Sequence, residues 1–206
     1  MRPDPAAAGD RTNPWRRERS RQVYANPWIR VREDEVLRPD GRPGIYGVVE
    51  LRNLALGCVP LHADGTTVLV GQYRYTLDAY SWEIPEGGGD PARDPLAEVA
   101  RELAEETGLR AGRWTPLGRV HTSNSVTDEL GLLWLAEDLT DGVQRPEGTE
   151  VLETWRLPLA EAVAMAADGR LTDALTVAGL LRVAVHLRSR GTGRPTPEKG
   201  SPCTSS

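Results

Sequence analysis

The run Arg101-Glu102-Leu103-Ala104-Glu105-Glu106 places one guanidinium among three carboxylates within less than two turns of any helix that carries it. Its flanks supply the helix. Asp94 is a strong N-cap, Pro95 suits the first helical position, and Gly108 can take the left-handed conformation that ends a helix. These signals predict a helix over Pro95 to Thr107. At 3.6 residues per turn, Leu96, Val99, Ala100 and Leu103 form an apolar stripe for a core. On the other side Arg101, Glu105, Glu98, Glu102 and Glu106 share an arc of roughly 140°. Like charges at i, i+4 destabilise a helix by about 0.2–0.5 kcal/mol per pair, so something should offset them. Hard divalent cations prefer oxygen ligands and are commonly held by a few carboxylates plus substrate phosphates, which points to Mg2+ or Mn2+ and a phosphate ester. A glutamate-rich face can also be simply solvated.

The elements that must position this helix are readable on both sides of it. Residues 22–38 and 44–53 read as β segments separated by the turn Pro39-Asp40-Gly41, an N-terminal hairpin or three-stranded sheet. Two further strands are joined at Ala63-Asp64-Gly65-Thr66, and the segment Ser81 to Gly89 leads through glycines into the acidic helix. Beyond it, Thr115 to His121, Leu130 to Ala136 and Val151 to Leu157 read as strands. Leu159 to Ala167 reads as a short helix ended by Asp168-Gly169, and Asp173 can cap a final helix from Ala174 to Arg188. The order predicts an α+β fold, an α/β/α sandwich with a mixed sheet and an N-terminal antiparallel β segment. The expected divisions are a mobile tail over 1–20, the β segment over 21–54, the main domain over 55–190, and a mobile tail over 191–206.

Composition narrows the function classes. At 206 residues the chain suits one domain with a small appendage. A net charge of −5 and a pI near 5.3 argue against a general nucleic-acid binder. No apolar run approaches the length that crosses a bilayer, and the N-terminus lacks a signal-peptide apolar segment, so a cytoplasmic protein with no membrane partner is expected. Cys58 in a strand and Cys203 in a polar tail do not make a disulfide framework or zinc site.

Gly87, Arg101, Glu102, Leu103, Glu105, Glu106, Gly108 and Leu109 resemble the Nudix box, a glycine, then a glutamate, then Arg-Glu-aliphatic-any-Glu-Glu-any-Gly-aliphatic. Arg93 stands where that first glutamate is expected. The resemblance runs from about Tyr24 to Leu187 and is closest to the ADP-ribose pyrophosphatase branch, through Gly71-Gln72-Tyr73-Arg74, Trp82-Glu83-Ile84-Pro85 and Gly169 to Asp173. The segment Ser123 to Glu129 departs from that branch, which usually begins it Ser-Pro-Gly. The resemblance implies that Glu102, Glu105, Glu106 and the backbone carbonyl of Glu86 bind divalent cations while Arg101 braces the carboxylates. It implies a general base or further ligand at Glu150 or Glu147, phosphate contact by Arg74, base or sugar contact by Trp28, and Glu129 as a further acidic candidate at the substrate. Glu98 is expected to replace part of the charge lost at Arg93. The implied activity is metal-dependent hydrolysis of a nucleoside diphosphate linked to another moiety, ADP-ribose or a nucleotide sugar, by a homodimer. Two alternatives are a nucleotide-sensing Nudix module without catalysis and a nucleoside triphosphate pyrophosphohydrolase.

Overall fold

The structure is a computed structural model describing residues 12–145 and 151–191, and it divides into two compact units. The smaller comprises the chain up to Asn53 together with Ser123–Glu129. It is an antiparallel sheet in the order β1-β2-β3, with β1 Arg16–Ala25, β2 Ile29–Leu37 and β3 Pro43–Leu51. The β2–β3 turn forms where Pro39-Asp40-Gly41 predicts it. Gly41 takes φ 78°, its N–H donates to the Arg38 carbonyl at 2.9 Å, and Asp40 Oδ1 accepts from Arg42 N at 3.0 Å. The first strand starts at Arg16, inside the segment 1–20 expected to be mobile. Two of its arginines face carboxylates of β2, Arg21 opposite Glu33 and Arg19 opposite Glu35, and backbone pairing with β2 orders residues that no apolar pattern marks. Ser123–Glu129, expected within the main domain, packs on this sheet instead. Tyr46 Oη donates to Ser125 O at 2.8 Å, Val49 N to Val126 O at 2.9 Å, and Leu51 N to Asp128 Oδ1 at 2.8 Å.

The larger unit begins at Leu54. Its mixed sheet runs β7-β4-β9-β8, from β4 (Leu54–Pro60), β7 (Glu86–Gly89), β8 (Arg110–His121) and β9 (Leu130–Thr140); β4 and β9 are parallel and the other pairs antiparallel. A second, antiparallel sheet is β10-β5-β6, from β5 (Thr66–Arg74), β6 (Ala79–Glu83) and β10 (Glu153–Pro158). The turn at Ala63 to Thr66 therefore carries the chain from one sheet to the other. The helices are α1 (Pro95–Thr107), α2 (Leu159–Asp168) and α3 (Ala174–Gly191).

Strand alternation builds two cores. On β9, Leu133 and Leu135 join Val59, Leu69, Leu180 and Val183 in the cluster that α2 and α3 cover. Leu132, Trp134 and Ala136 point the other way, to Leu56, Cys58, Val99 and Leu103 beneath α1. Helices thus lie on both faces of the mixed sheet, the expected sandwich, and Cys58 is a fully buried core residue. Strand β8 begins at Arg110, well before Thr115; its early residues Arg110 and Arg113 hide the alternation from the sequence, and a bulge at Pro116/Gly118 interrupts its register.

Candidate active site

Helix α1 forms as its end signals require. Asp94 accepts from Leu96 N at 3.1 Å, Pro95 follows, and Gly108 at φ 75° donates to the Ala104 carbonyl at 3.0 Å. Its buried side is rotated from the expected stripe. Val99 and Leu103 are fully buried, but the flanking buried positions are Glu98 and Glu106, while Ala100 is only partly covered. The carboxylates are therefore not spread over solvent. Glu102 and Glu106 face β7, where Gly87 and Gly89 leave no room for a side chain. A Cβ on Gly87 would fall inside contact distance of the Glu102 carboxyl group, and one on Gly89 would strike Leu56. These glycines, which resemble a loop in the sequence, pair as a strand with β4 in the register Leu56↔Gly87.

Arg101 stands among the carboxylates. Its Nη1 donates to Glu105 at 2.5 Å, and its Nη2 to Glu102 at 2.6 Å, Glu98 at 3.3 Å and the Gly88 carbonyl at 3.4 Å. Although partial burial disfavours its charge, Glu102 and Glu105 hold the guanidinium pKa above its ordinary value. Arg93 donates to Glu98 at 3.3 Å, so the residue in the place of the expected glutamate occupies the carboxylate that might replace it. Glu98 is shared between two arginines.

Glu86 joins this helix to a second acidic group. Its backbone N–H donates to Glu106 Oε2 at 2.9 Å, and its side chain accepts from Arg74 Nη2 at 3.1 Å. Carboxylate oxygens of Glu83, Glu86 and Asp173 lie within 4.8 Å of one another, close enough to share a cation. Arg74 supplies positive charge there, chelating Glu83 through Nε at 3.0 Å to both oxygens and through Nη2. The guanidinium expected to contact substrate phosphates is engaged by two glutamates. Glu86 Oε2 is buried without a hydrogen-bond partner among the described residues, and burial, then Asp173 and Glu83, push this carboxyl well above the usual range. Asp173 also caps α3, accepting from Thr176 N at 2.7 Å. Sequence reading missed the cluster: Glu83 appears only within a family motif, and Asp173 only as a cap and the end of another such motif.

The structure thus assembles Arg101, Glu102, Glu105, Glu106, Glu86 and Arg74 in the larger unit. Trp28 and Glu129 belong to the smaller one, where Trp28 lies in the β1–β2 connection and is 67 % exposed. Glu147 and Glu150 lie outside the described residues. Arg145, the last described residue before them, donates its backbone N–H to the Glu105 carbonyl at 2.9 Å.

The chemistry of such a donor set is that of a hard-cation site: anionic oxygens on adjacent helical turns, a backbone-only strand against them, and an arginine fixing their orientation. Comparison with known proteins agrees. Residues 51–178 match the NUDIX domain, and residues 15–49 match the nucleoside diphosphate sugar hydrolase N-terminal domain. An ADP-ribose pyrophosphatase of Mycobacterium tuberculosis is 33% identical over 183 residues, 86% of this chain and 86% of the relative. A CMP-5'-(N-acetyl-N-hydroxy-3-aminopropyl)phosphonate hydrolase of Streptomyces rubellomurinus is 29% identical over 171 residues, 82% of each chain. A GDP-mannose pyrophosphatase of Yersinia pestis is 32% identical over 133 residues, 60% of this chain and 66% of the relative. Among solved structures, an ADP compounds hydrolase superposes with a TM-score of 0.79 at 22% identity, covering 89% of this chain and 99% of that one, a likeness of fold. With the domain match spanning most of the sequence and the carboxylates of its box gathered around Arg101, this chain belongs to the Nudix hydrolases.

Proposed function

We propose that the chain hydrolyses the diphosphate bond of a nucleoside diphosphate joined to a second moiety, ADP-ribose or a nucleotide sugar, in the presence of Mg2+ or Mn2+. The observation that carries this is the placement of Glu102 against Gly87 and of Glu106 on the Glu86 N–H, with Arg101 bonded to both Glu102 and Glu105. The relatives' names, ADP-ribose pyrophosphatase and GDP-mannose pyrophosphatase, support the substrate class.

The residues fit a divalent cation, which Glu102, Glu105, Glu106 and the Glu86 carbonyl would hold. When bound it polarises a phosphoryl oxygen and acidifies water. Arg101 keeps the carboxylates in place through its hydrogen bonds. Glu150, or else Glu147, takes the proton of the attacking water; the anhydride P–O bond then breaks to give a nucleoside monophosphate and a phosphorylated partner. Arg74 lies beside Glu86, in reach of the same region through its contact at 3.1 Å. Trp28 contacts the base or sugar, and Glu129 is a further acidic group for the substrate. The chain acts as a homodimer, a reading supported by exposed Val23, Tyr24, Trp28 and Ile45 on the N-terminal sheet. It works in the cytoplasm, in keeping with its acidic composition; among the described residues no helix is long and apolar enough to cross a membrane.

A panel of nucleoside diphosphate conjugates with saturating Mg2+ or Mn2+, read by product mass, tests this reading. Release of a nucleoside monophosphate is expected, with Glu102→Gln and Glu106→Gln each losing about two orders of magnitude in kcat. Tight binding of intact nucleotide without cleavage would instead establish a sensing module. Light scattering tests the dimer, and a monomer at working concentration rejects it.

A further inference from the structure

Beside the acidic face, α1 borders a groove of about 610 Å³. Its floor is the small outer surface of Ala97, Ala100 and Ala104, and its walls carry Arg101, Glu105, Arg110 and Arg145. The four charged residues differ in what they have left to offer. Arg101 and Glu105 are bonded to each other at 2.5 Å. Arg110 and Arg145 are exposed, and neither guanidinium has a hydrogen-bond or ion-pair partner among the described residues. Their backbones are nonetheless fixed. Arg110 starts β8, opposite Thr140, and Arg145 is tied by its N–H to the Glu105 carbonyl at 2.9 Å. Two anchored arginines without carboxylate partners among the described residues, in a groove whose one acidic lining residue is already paired, make an anion site adjoining the acidic helix.

Resting on the function proposed above, we infer that Arg110 and Arg145 form a subsite for a phosphomonoester that the substrate carries in addition to its diphosphate. Such substrates are selected over their counterparts lacking that phosphate. The planar donors suit a phosphate dianion, and the alanine floor leaves room for the sugar that bears it.

The test uses ADP-ribose and ADP-ribose 2'-phosphate, each with a methylene group in place of the bridging diphosphate oxygen so that neither is cleaved. Calorimetry with Mg2+ at physiological ionic strength compares their binding. The wild type should bind the phosphorylated analogue about tenfold more tightly. In the Arg110→Gln/Arg145→Gln double variant the two affinities should agree within about twofold, and Arg110→Lys/Arg145→Lys should keep part of the preference because the charge remains. Circular dichroism verifies that the variants are folded, and Arg145→Gln alone should give an intermediate ratio. Equal affinities in the wild type, no binding of either analogue, or a preference that survives the double glutamine variant would overturn the inference. Cleavage of ordinary ADP-ribose is measured separately: discrimination between the analogues without cleavage sinks the hydrolase reading of this substrate and leaves the subsite standing.

Discussion

Gly87 shows how a residue without a side chain can be a functional one. A Cβ there collides with the Glu102 carboxyl group, the far end of a flexible side chain, whereas a Cβ on Gly89 collides with Leu56 in the core. Gly87→Ala is therefore expected to fold with a stability loss of about 1 kcal/mol or less, yet to displace the Glu102 carboxylate proposed to hold the cation and lower kcat at least tenfold. Gly89→Ala should lose about 1–3 kcal/mol of stability from overpacking. Urea denaturation paired with turnover separates the two effects, and a Gly87→Ala enzyme of normal activity would show that Glu102 does not work from its observed position. Arg93 invites a second substitution. Its side chain is 66% exposed and pairs with Glu98, so Arg93→Glu removes a cation and adds an anion at the edge of the carboxylate face. Mn2+ should then bind about threefold more tightly, as befits one exposed charge contact, while metal-free α1 becomes less stable. A weaker Mn2+ affinity in a metal titration would mean that Arg93 supports the site.

At the scale of elements, α1 was legible to its last residue because both ends are chemical signals: the Asp94 cap with Pro95, and Gly108 at φ 75°. What covers its C-terminal end was not. Gln144 Nε2 donates to the Glu106 carbonyl at 2.7 Å and Arg145 N to the Glu105 carbonyl at 2.9 Å, contacts between distant residues that no local spacing announces. Strand β7 was hidden because glycines carry no alternation, and the attachment of Ser123–Glu129 to the N-terminal sheet was hidden because it rests on backbone and Asp128 hydrogen bonds. The mixed sheet was legible because β4 and β9 carry apolar residues on both faces. The docking of the chain on α1 yields its own prediction. A Cβ on Gly108 would meet Gln144 N at 2.9 Å and the Gly142 carbonyl at 3.0 Å, whereas Gly169, at φ 84°, has open space around it. Gly169→Ala should lose only the cost of a left-handed alanine, about 1 kcal/mol, and Gly108→Ala about 1–3 kcal/mol more. Equal losses in urea denaturation would show that the segment ending at Arg145 contributes nothing to holding α1.

For the whole molecule, the pH dependence of stability draws on two histidines remote from the acidic helix and on Glu86 beside it. His62 and His186 each bury an Nε2 that has no hydrogen-bond partner among the described residues. Burial, reinforced by Arg156, lowers the pKa of His62 against the opposing pull of Asp64 and Asp141; burial and Arg190 lower that of His186 against Glu137. A histidine with a depressed folded pKa takes up its proton more readily when unfolded. Its contribution is thus complete above the ordinary value near 6.5 and is lost as pH falls through the folded value. Glu86 works the opposite way, since burial beside Asp173 and Glu83 raises its pKa and protonation relieves the folded state. The slope for the wild type alone therefore mixes the two, and the informative quantity is a difference between proteins. Between pH 7.5 and 5.5 the His62→Gln/His186→Gln variant should lose less stability than the wild type in denaturant titrations, because only the imidazoles have been removed. In that window the carboxylates with lowered pKa, Glu50, Asp64 and Asp168, remain ionised and contribute little to the difference. Parallel curves for the two proteins would mean that neither histidine is desolvated in solution, and that the pH response of the fold belongs to Glu86 and its neighbours.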